Sequence, residues 1–222
     1  MTGRRAHLDR DAAVRCFLGG LAATLEVAAD VATPSGGEVA DFARLVRAVH
    51  AASAGDDRPP ERLTVCRTWN AALEAARGPL VEPLAALTRW LSWTQNPNYR
   101  RHPPDPSFLD NYGYAVIAGP VDGPPALAHA SDVALGVLLL APSTHYPLHA
   151  HPAVELYVTL TSDGEWWRDE GPWRSEAAGA VIHHASGVPH AMRAGMTPLL
   201  ALYVWRGTLG THARLRPPAV SG

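Results

Sequence analysis

Two cysteines in 222 residues, Cys16 and Cys66, are too few for a disulfide framework, and their spacing is not that of a metal-binding pair. A reducing compartment is the simpler expectation. Charge of one sign is lacking too: 19 Lys and Arg against 21 Asp and Glu leave a formal net charge of -2, so composition implies neither a basic nor an acidic field. The basic residues form no stripe and the helical half shows no recognition-helix pattern, which argues against a nucleic-acid partner. No glycine loop followed by a lysine, and no βαβ context, is present to cradle a nucleotide. Long apolar runs are missing as well. Val133 to Leu140 is far too short for a membrane helix, and MTGRRAHLDR leads into an amphipathic pattern, so a cytoplasmic protein without a membrane partner is expected. No internal repeat recurs at a fixed period.

What is there is an ordinary globular composition, 47% apolar and 18% charged, long enough to bury a substantial core as one domain with a smaller appendage. The first half carries helical periodicity. From Asp11 to about Ala29, apolar residues including Val14, Phe17, Leu18, Leu21 and Leu25 recur at spacings of three and four, weakened locally by Gly19 and Gly20. PSGG at Pro34 to Gly37 breaks the pattern, and a second helix is expected from about Glu38 to Ala54, before the surface connection SAGDDRPPE. Arg62 to Ala76 and Leu80 to Trp93 read as two further helices, with Gly78 suited to the left-handed position between them. Gln95 to Ser107, rich in Pro, Asn and Arg, is expected to be irregular, a rim or a lid.

After Phe108 the period changes to two. Tyr112, Tyr114 and Val116 alternate with smaller residues, Val133 to Leu140 is nearly continuous apolar sequence, and Leu156, Val158 and Leu160 alternate with Glu155, Tyr157 and Thr159. Gly164 to Arg168, Ala180 to His183, His190 to Arg193 and Leu199 to Arg206 are further short strands. Many short strands divided by Gly and Pro indicate a β-barrel or sandwich. Residues 1–107 are thus expected to form a mainly helical portion and 108–222 a β-barrel, an α+β chain overall.

Of eleven histidines, His149 and His151 lie two apart, so in an extended segment both imidazoles leave one face of the backbone. Glu155 and Tyr157 repeat that geometry, and a bend near Pro152 can turn the two pairs toward one point. Imidazole nitrogens and a carboxylate oxygen suit Fe(II), Mn(II), Zn(II), Ni(II) or Co(II), and His190 from a distant strand would complete three or four protein ligands. Burying Glu155 in a small barrel without an opposite charge would be costly, and a cation offsets that cost. His145, His183 and His184 have no such partner pattern and are expected to be structural or to back the ligands.

At these residues the chain resembles the cupin superfamily, whose first motif is G-x5-HxH-x3/4-E-x6-G and whose second is G-x5-PxG-x2-H. HAHPAVE, His149 to Glu155, matches the ligand portion of the first, with longer glycine spacing at Gly136 and Gly164. Gly179, Gly187 and His190 fit the second, with Ala185 where proline is commonest. Over roughly Cys66 to Leu215, the segments TWNAALEAA, NYR, NYGYAVIAGP, YPLHAHPAVELYV, GAVIHHASGVPHAMR and PLLALYVWRG resemble the cupin-type dimethylsulfoniopropionate lyases.

That resemblance implies a helical portion followed by a cupin barrel, a double-stranded β-helix or jelly roll, holding one divalent transition metal ion. It implies a carbon-sulfur lyase that cleaves dimethylsulfoniopropionate into dimethyl sulfide and acrylate, and therefore a small zwitterionic sulfonium carboxylate as substrate. It places the metal on His151, Glu155 and His190 with His149 as a further ligand or close support, and catalysis on Tyr157, the expected base, and Tyr146. A homodimer is an assembly such cupins adopt. Ring faces attract cations, so Trp166, Trp167, Trp173, Tyr203, Trp205, Trp93 and Tyr99 are the aromatic candidates for the sulfonium group. The competing readings on the same scaffold are a cupin dioxygenase or isomerase acting on another small carboxylate, and a non-catalytic binding cupin.

Overall fold

The computed structural model describes residues 9–31, 35–50 and 59–217. Helix α1 (Arg10–Ala29) starts where the Asp9 carboxylate accepts the Ala12 N–H at 2.7 Å, and it packs beside α2 (Gly36–Ala48). Phe17, Leu21 and Leu25 from the first helix and Phe42 and Val46 from the second are fully buried at this contact. Each such side chain contributes ~1.5–3 kcal/mol of transfer free energy. α1 is the one described helix long and apolar enough to cross a membrane, but its apolar stripe is taken up by this packing. Residues 51–54 of the expected second helix lie outside the described residues.

The next two expected helices are shorter than the periodicity suggested. A 3-10 turn (Thr64–Thr68) opens the first, with the Thr68 hydroxyl donating to Val65 O at 2.8 Å, and α-helix resumes only at α3 (Trp69–Ala75). Gly78 takes φ +105° between it and α4 (Val81–Leu87), as expected of a left-handed position. α4 stops at Leu87, six residues before Trp93. The Thr88 hydroxyl donates to Ala85 O at 2.7 Å and accepts the Trp69 indole N–H at 3.1 Å. The chain then extends as β1 (Trp93–Thr94). The stretch expected to be irregular contains α5 (Pro97–Arg101), opened by Asn96 accepting the Asn98 N–H at 2.9 Å with Pro97 in the first turn, and α6 (Phe108–Asn111) follows.

The β half comprises β2 (Tyr112–Gly119), β3 (Ala128–His129), β4 (Val133–Leu140), β5 (His145–Ala150), β6 (Val154–Thr159), β7 (Glu165–Arg168), β8 (Arg174–Ser175), β9 (Val181–His184), β10 (His190–Arg193), β11 (Leu199–Arg206) and β12 (Arg214–Leu215). β3, β8 and β12 were not visible in the sequence because two residues carry no period. One sheet runs β1-β2-β4-β11-β6-β9 with β3 beside β2, and the other runs β12-β5-β10-β7-β8.

Both faces of the larger sheet are covered. Leu135, Val137, Leu139, Leu156, Val158, Leu200, Leu202 and Val204 pack on the helices, while Leu138, Leu140, Tyr157, Ala201 and Tyr203 pack with Tyr146, Trp166 and Met192 of the smaller sheet. That double burial explains why β4 reads as a continuous apolar run rather than an alternation. At Gly136 a Cβ would lie 2.0 Å from Ala115 O and 2.8 Å from Tyr203 Oη, so only glycine lets β2, β4 and the Tyr203 ring close together.

Candidate metal centre and active site

The functional side chains sit on the inner faces of both sheets. In β5 and β10, His149 and His190 are direct cross-strand partners, with ring centroids 4.1 Å apart. In β6, Glu155 lies between His184 of β9 and Trp205 of β11, and Tyr157 lies opposite Tyr203. His151 follows the end of β5, and the bend at Pro152 swings its ring back so that Nε2 comes 3.0 Å from Glu155 Oε2. The expected convergence of the two motifs is therefore present. His151, Glu155 and His190, all buried, offer ligand atoms within 4.8 Å of one another. His149 is buried beside them, its ring 6.4 Å from that of His151, outside this tightest group.

The hydrogen bonds of the imidazoles decide what these rings can do. Nδ1 of His149 meets Pro147 O at 2.8 Å, Nδ1 of His151 meets Ala153 O at 3.0 Å, and Nδ1 of His190 meets Val188 O at 2.9 Å. A carbonyl can only accept, so each Nδ1 carries the proton and each Nε2 of the neutral ring presents a lone pair. Two of those lone pairs face one carboxylate oxygen: His151 Nε2 at 3.0 Å and His190 Nε2 at 3.2 Å from Glu155 Oε2. His190 Nε2 is a buried nitrogen whose approach to that oxygen lacks hydrogen-bond alignment. Acceptors held this close repel unless a cation lies among them, either protons on the rings or a metal ion. The donor set of imidazole nitrogens and a carboxylate oxygen, oriented by backbone carbonyls, fits a divalent transition metal.

The electrostatics agree. Burial pushes the Glu155 carboxyl up, but the facing His151 and His190 outweigh it and hold the group well below the ordinary carboxylate range. Burial, then the neighbouring His190, keeps His149 and His184 far below the usual imidazole value, hence neutral. The other Glu155 oxygen, Oε1, accepts the Trp205 indole N–H at 2.5 Å, and the same indole lies 4.2 Å over the His151 ring.

A cavity of about 460 Å³ opens beside Glu155. Its wall includes Tyr112, Tyr114, Tyr146, Tyr157, Tyr203 and Trp205, with Gln95, Asn96 and Pro97 at the start of α5 and Leu209, Gly210, His212 and Ala213 after β11. Asn96 Nδ2 and Asn98 Nδ2 both donate to Ala213 O, at 2.9 and 3.0 Å, tying those two wall segments together. Tyr146 stacks flat on His149, centroids 4.0 Å apart and planes 6° apart. The Tyr157 phenol is raised well above its usual value by burial, then by the charge and hydrogen bond of Glu155.

Of the aromatics expected near a cationic ligand, Tyr203 and Trp205 line the cavity. Trp166 packs on Tyr157 and Tyr99 hydrogen-bonds Tyr146. Trp93 lies instead in the helical core, edge-on to Trp69, and Trp173 lies under the Arg193 guanidinium. Tyr112 and Tyr114 were missed as site residues, although their period of two places them on one strand face. The Trp205 N–H and the three carbonyl locks left no trace in the sequence.

Facing sheets whose inner surface gathers imidazoles and a carboxylate beside a small-molecule cavity define a cupin barrel. Solved structures share it: the chain superposes on the dimethylsulfoniopropionate lyase DddQ from Ruegeria pomeroyi DSS-3 with TM-score 0.67 at 22% identity, covering 92% of this chain and 98% of that one. A structure from the lyases RdDddP and RnDddQII gives the same TM-score and identity, over 92% and 100% of the two chains. The family model for dimethylsulfoniopropionate lyases matches residues 38–201, and the chain belongs to that family of carbon-sulfur lyases. Among relatives, dimethylsulfoniopropionate lyase DddQ of Ruegeria pomeroyi is 36% identical over 112 residues, 50% of this chain and 53% of the relative. The match thus spans about half of that relative. The putative lyase DddL of Cereibacter sphaeroides is 32% identical over 78% of this chain and 70% of its own length.

Proposed function

We propose that the protein cleaves dimethylsulfoniopropionate by β-elimination into dimethyl sulfide and acrylate, using a divalent transition metal held by His151, Glu155 and His190 with His149 alongside. The observation that carries this reading is the set of locked imidazoles presenting Nε2 atoms to a buried carboxylate at the edge of a tyrosine-walled cavity, in a chain of this family. A divalent cation on those donors, Fe(II), Mn(II), Zn(II), Ni(II) or Co(II), would supply Lewis-acid stabilisation for the carboxylate oxygen on which negative charge develops.

Tyr157 is the base in this proposal. It removes the proton from the carbon next to the substrate carboxylate, and the electron pair of that C–H bond becomes the new C=C bond. The C–S pair departs with sulfur as neutral dimethyl sulfide. An ordinary phenol, with pKa near ~10, is too weakly ionised at neutral pH for this task, and burial, then Glu155, raises Tyr157 further. A cation held by Glu155 would cancel that push, and its remaining positive charge beside the ring would favour the phenolate and draw it below the ordinary phenol range. Tyr146, clamped on His149, orients the substrate, and the ring faces of Tyr203 and Trp205 suit the sulfonium methyls. Incubating metal-replete protein with dimethylsulfoniopropionate should yield acrylate and dimethyl sulfide in equal amounts; no product with any of the five metals would overturn the proposal.

A further inference from the structure

All six tyrosines of the chain gather in one place: five line the cavity and the sixth, Tyr99, stands directly behind Tyr146. The Tyr146 hydroxyl donates to the Tyr99 hydroxyl at 3.1 Å, in a buried contact where the two rings meet edge to face. Tyr99 is itself fixed, 1% exposed on α5, with its ring also against Phe108 and Tyr112 and its hydroxyl beside the Asn96 side chain. Tyr146 cannot swing away, because its ring lies flat on His149. A phenol has one proton and two lone pairs. Once the proton is committed to Tyr99, what the Tyr146 oxygen offers to the cavity is electron density.

We infer that Tyr99 sets the polarity of the cavity at Tyr146: by taking that proton it turns the lone pairs of the Tyr146 oxygen toward the ligand and selects molecules that bring a cationic group there. Tyr99 is thus a positioning residue for specificity, acting through Tyr146 without touching the ligand. The inference deepens the lyase reading by naming what distinguishes an onium carboxylate from an uncharged one of the same shape. It rests on that reading for the identity of the substrate, but its test needs no turnover.

Two shape-matched ligands separate charge from size: N,N-dimethyl-β-alanine, whose tertiary ammonium replaces the sulfonium, and 4-methylpentanoate, in which that centre is an uncharged carbon. Calorimetric Kd values for both are measured on wild type, Tyr99→Phe, and Tyr99→Phe combined with Tyr112→Phe. The second variant is needed because the Tyr112 hydroxyl also lies within hydrogen-bonding reach of Tyr146. Wild type should favour the ammonium ligand, and that preference should fall by about tenfold to 100-fold in one or both variants, the size expected for one hydrogen bond to a charged group. Loss of packing alone would weaken both ligands together and leave the ratio unmoved. In a Tyr146→Phe background, adding Tyr99→Phe should change the ratio no further. A ratio unchanged in both variants, or no wild-type preference for the ammonium, overturns the inference. Failure of wild type to release acrylate would instead count against the lyase proposal alone.

Discussion

Replacing Trp205 with phenylalanine removes one N–H from the candidate metal centre and little else. The indole N–H donates to Glu155 Oε1 at 2.5 Å, while its ring covers His151 at 4.2 Å, a contact that a phenyl ring largely retains. A hydrogen bond to a buried carboxylate is worth roughly 1.5–3 kcal/mol, and loss of a group that orients a metal ligand weakens affinity by about 10- to 100-fold, which is ~1.4–2.8 kcal/mol. The two magnitudes agree, so Trp205→Phe should raise the Kd for Co(II) or Zn(II) by one to two orders of magnitude. Competition against a calibrated chelator reads that shift, and denaturant unfolding of the metal-free protein checks that the fold persists. A Kd within about twofold of wild type on an intact fold would refute the idea that Trp205 steers the carboxylate.

Tyr157→Phe should retain bound metal, measured by elemental analysis after dialysis, while losing ~10²–10⁴-fold in turnover; near-normal activity would remove Tyr157 from the role of base. His151→Ala and Glu155→Ala should each abolish stoichiometric metal, whereas His149→Ala, altering a ring outside the tightest group, should weaken retention less. All six phenols are raised above their ordinary value, chiefly by burial, with Tyr114 pushed up to about 12. The stability they contribute is therefore full below about pH 10 and lost as pH rises through the raised values, so the metal-free fold should show no tyrosinate absorption at 295 nm until it begins to unfold. Titration of several tyrosines near pH 10 in a folded protein would contradict their burial. Gly136→Ala should cost at least ~3 kcal/mol by denaturant unfolding, since its Cβ would meet Ala115 O at 2.0 Å.

Much of this architecture was legible in the residue pattern. The period of three to four located α1 and α2, the period of two located β2 and β6, β11 stood among the short strands expected, and the HxH-x3-E spacing brought His151 and Glu155 together as expected. Helix ends were misplaced where single side chains intervened, as at Thr88, and strands of two residues carry no period at all. The site was readable as far as side chains that carry chemistry in their own names. It was unreadable where backbone supplies the chemistry, because the carbonyls of Pro147, Ala153 and Val188 leave no mark on residue identity. Register likewise hides in sequence: nothing before folding says that Trp205 will stand opposite Glu155 rather than one residue along.

The shared carbonyl of Ala213 has a mechanical implication. Asn96 and Asn98 hang on it from across 117 and 115 residues of chain, so the wall on that side cannot widen one rung at a time. Both amides must let go together, at a net ~1–3 kcal/mol. Passage of a small molecule past this flank is thereby yoked to the segment around Ala213, and a shift of the backbone at residue 213 would be felt first at α5, which carries Tyr99.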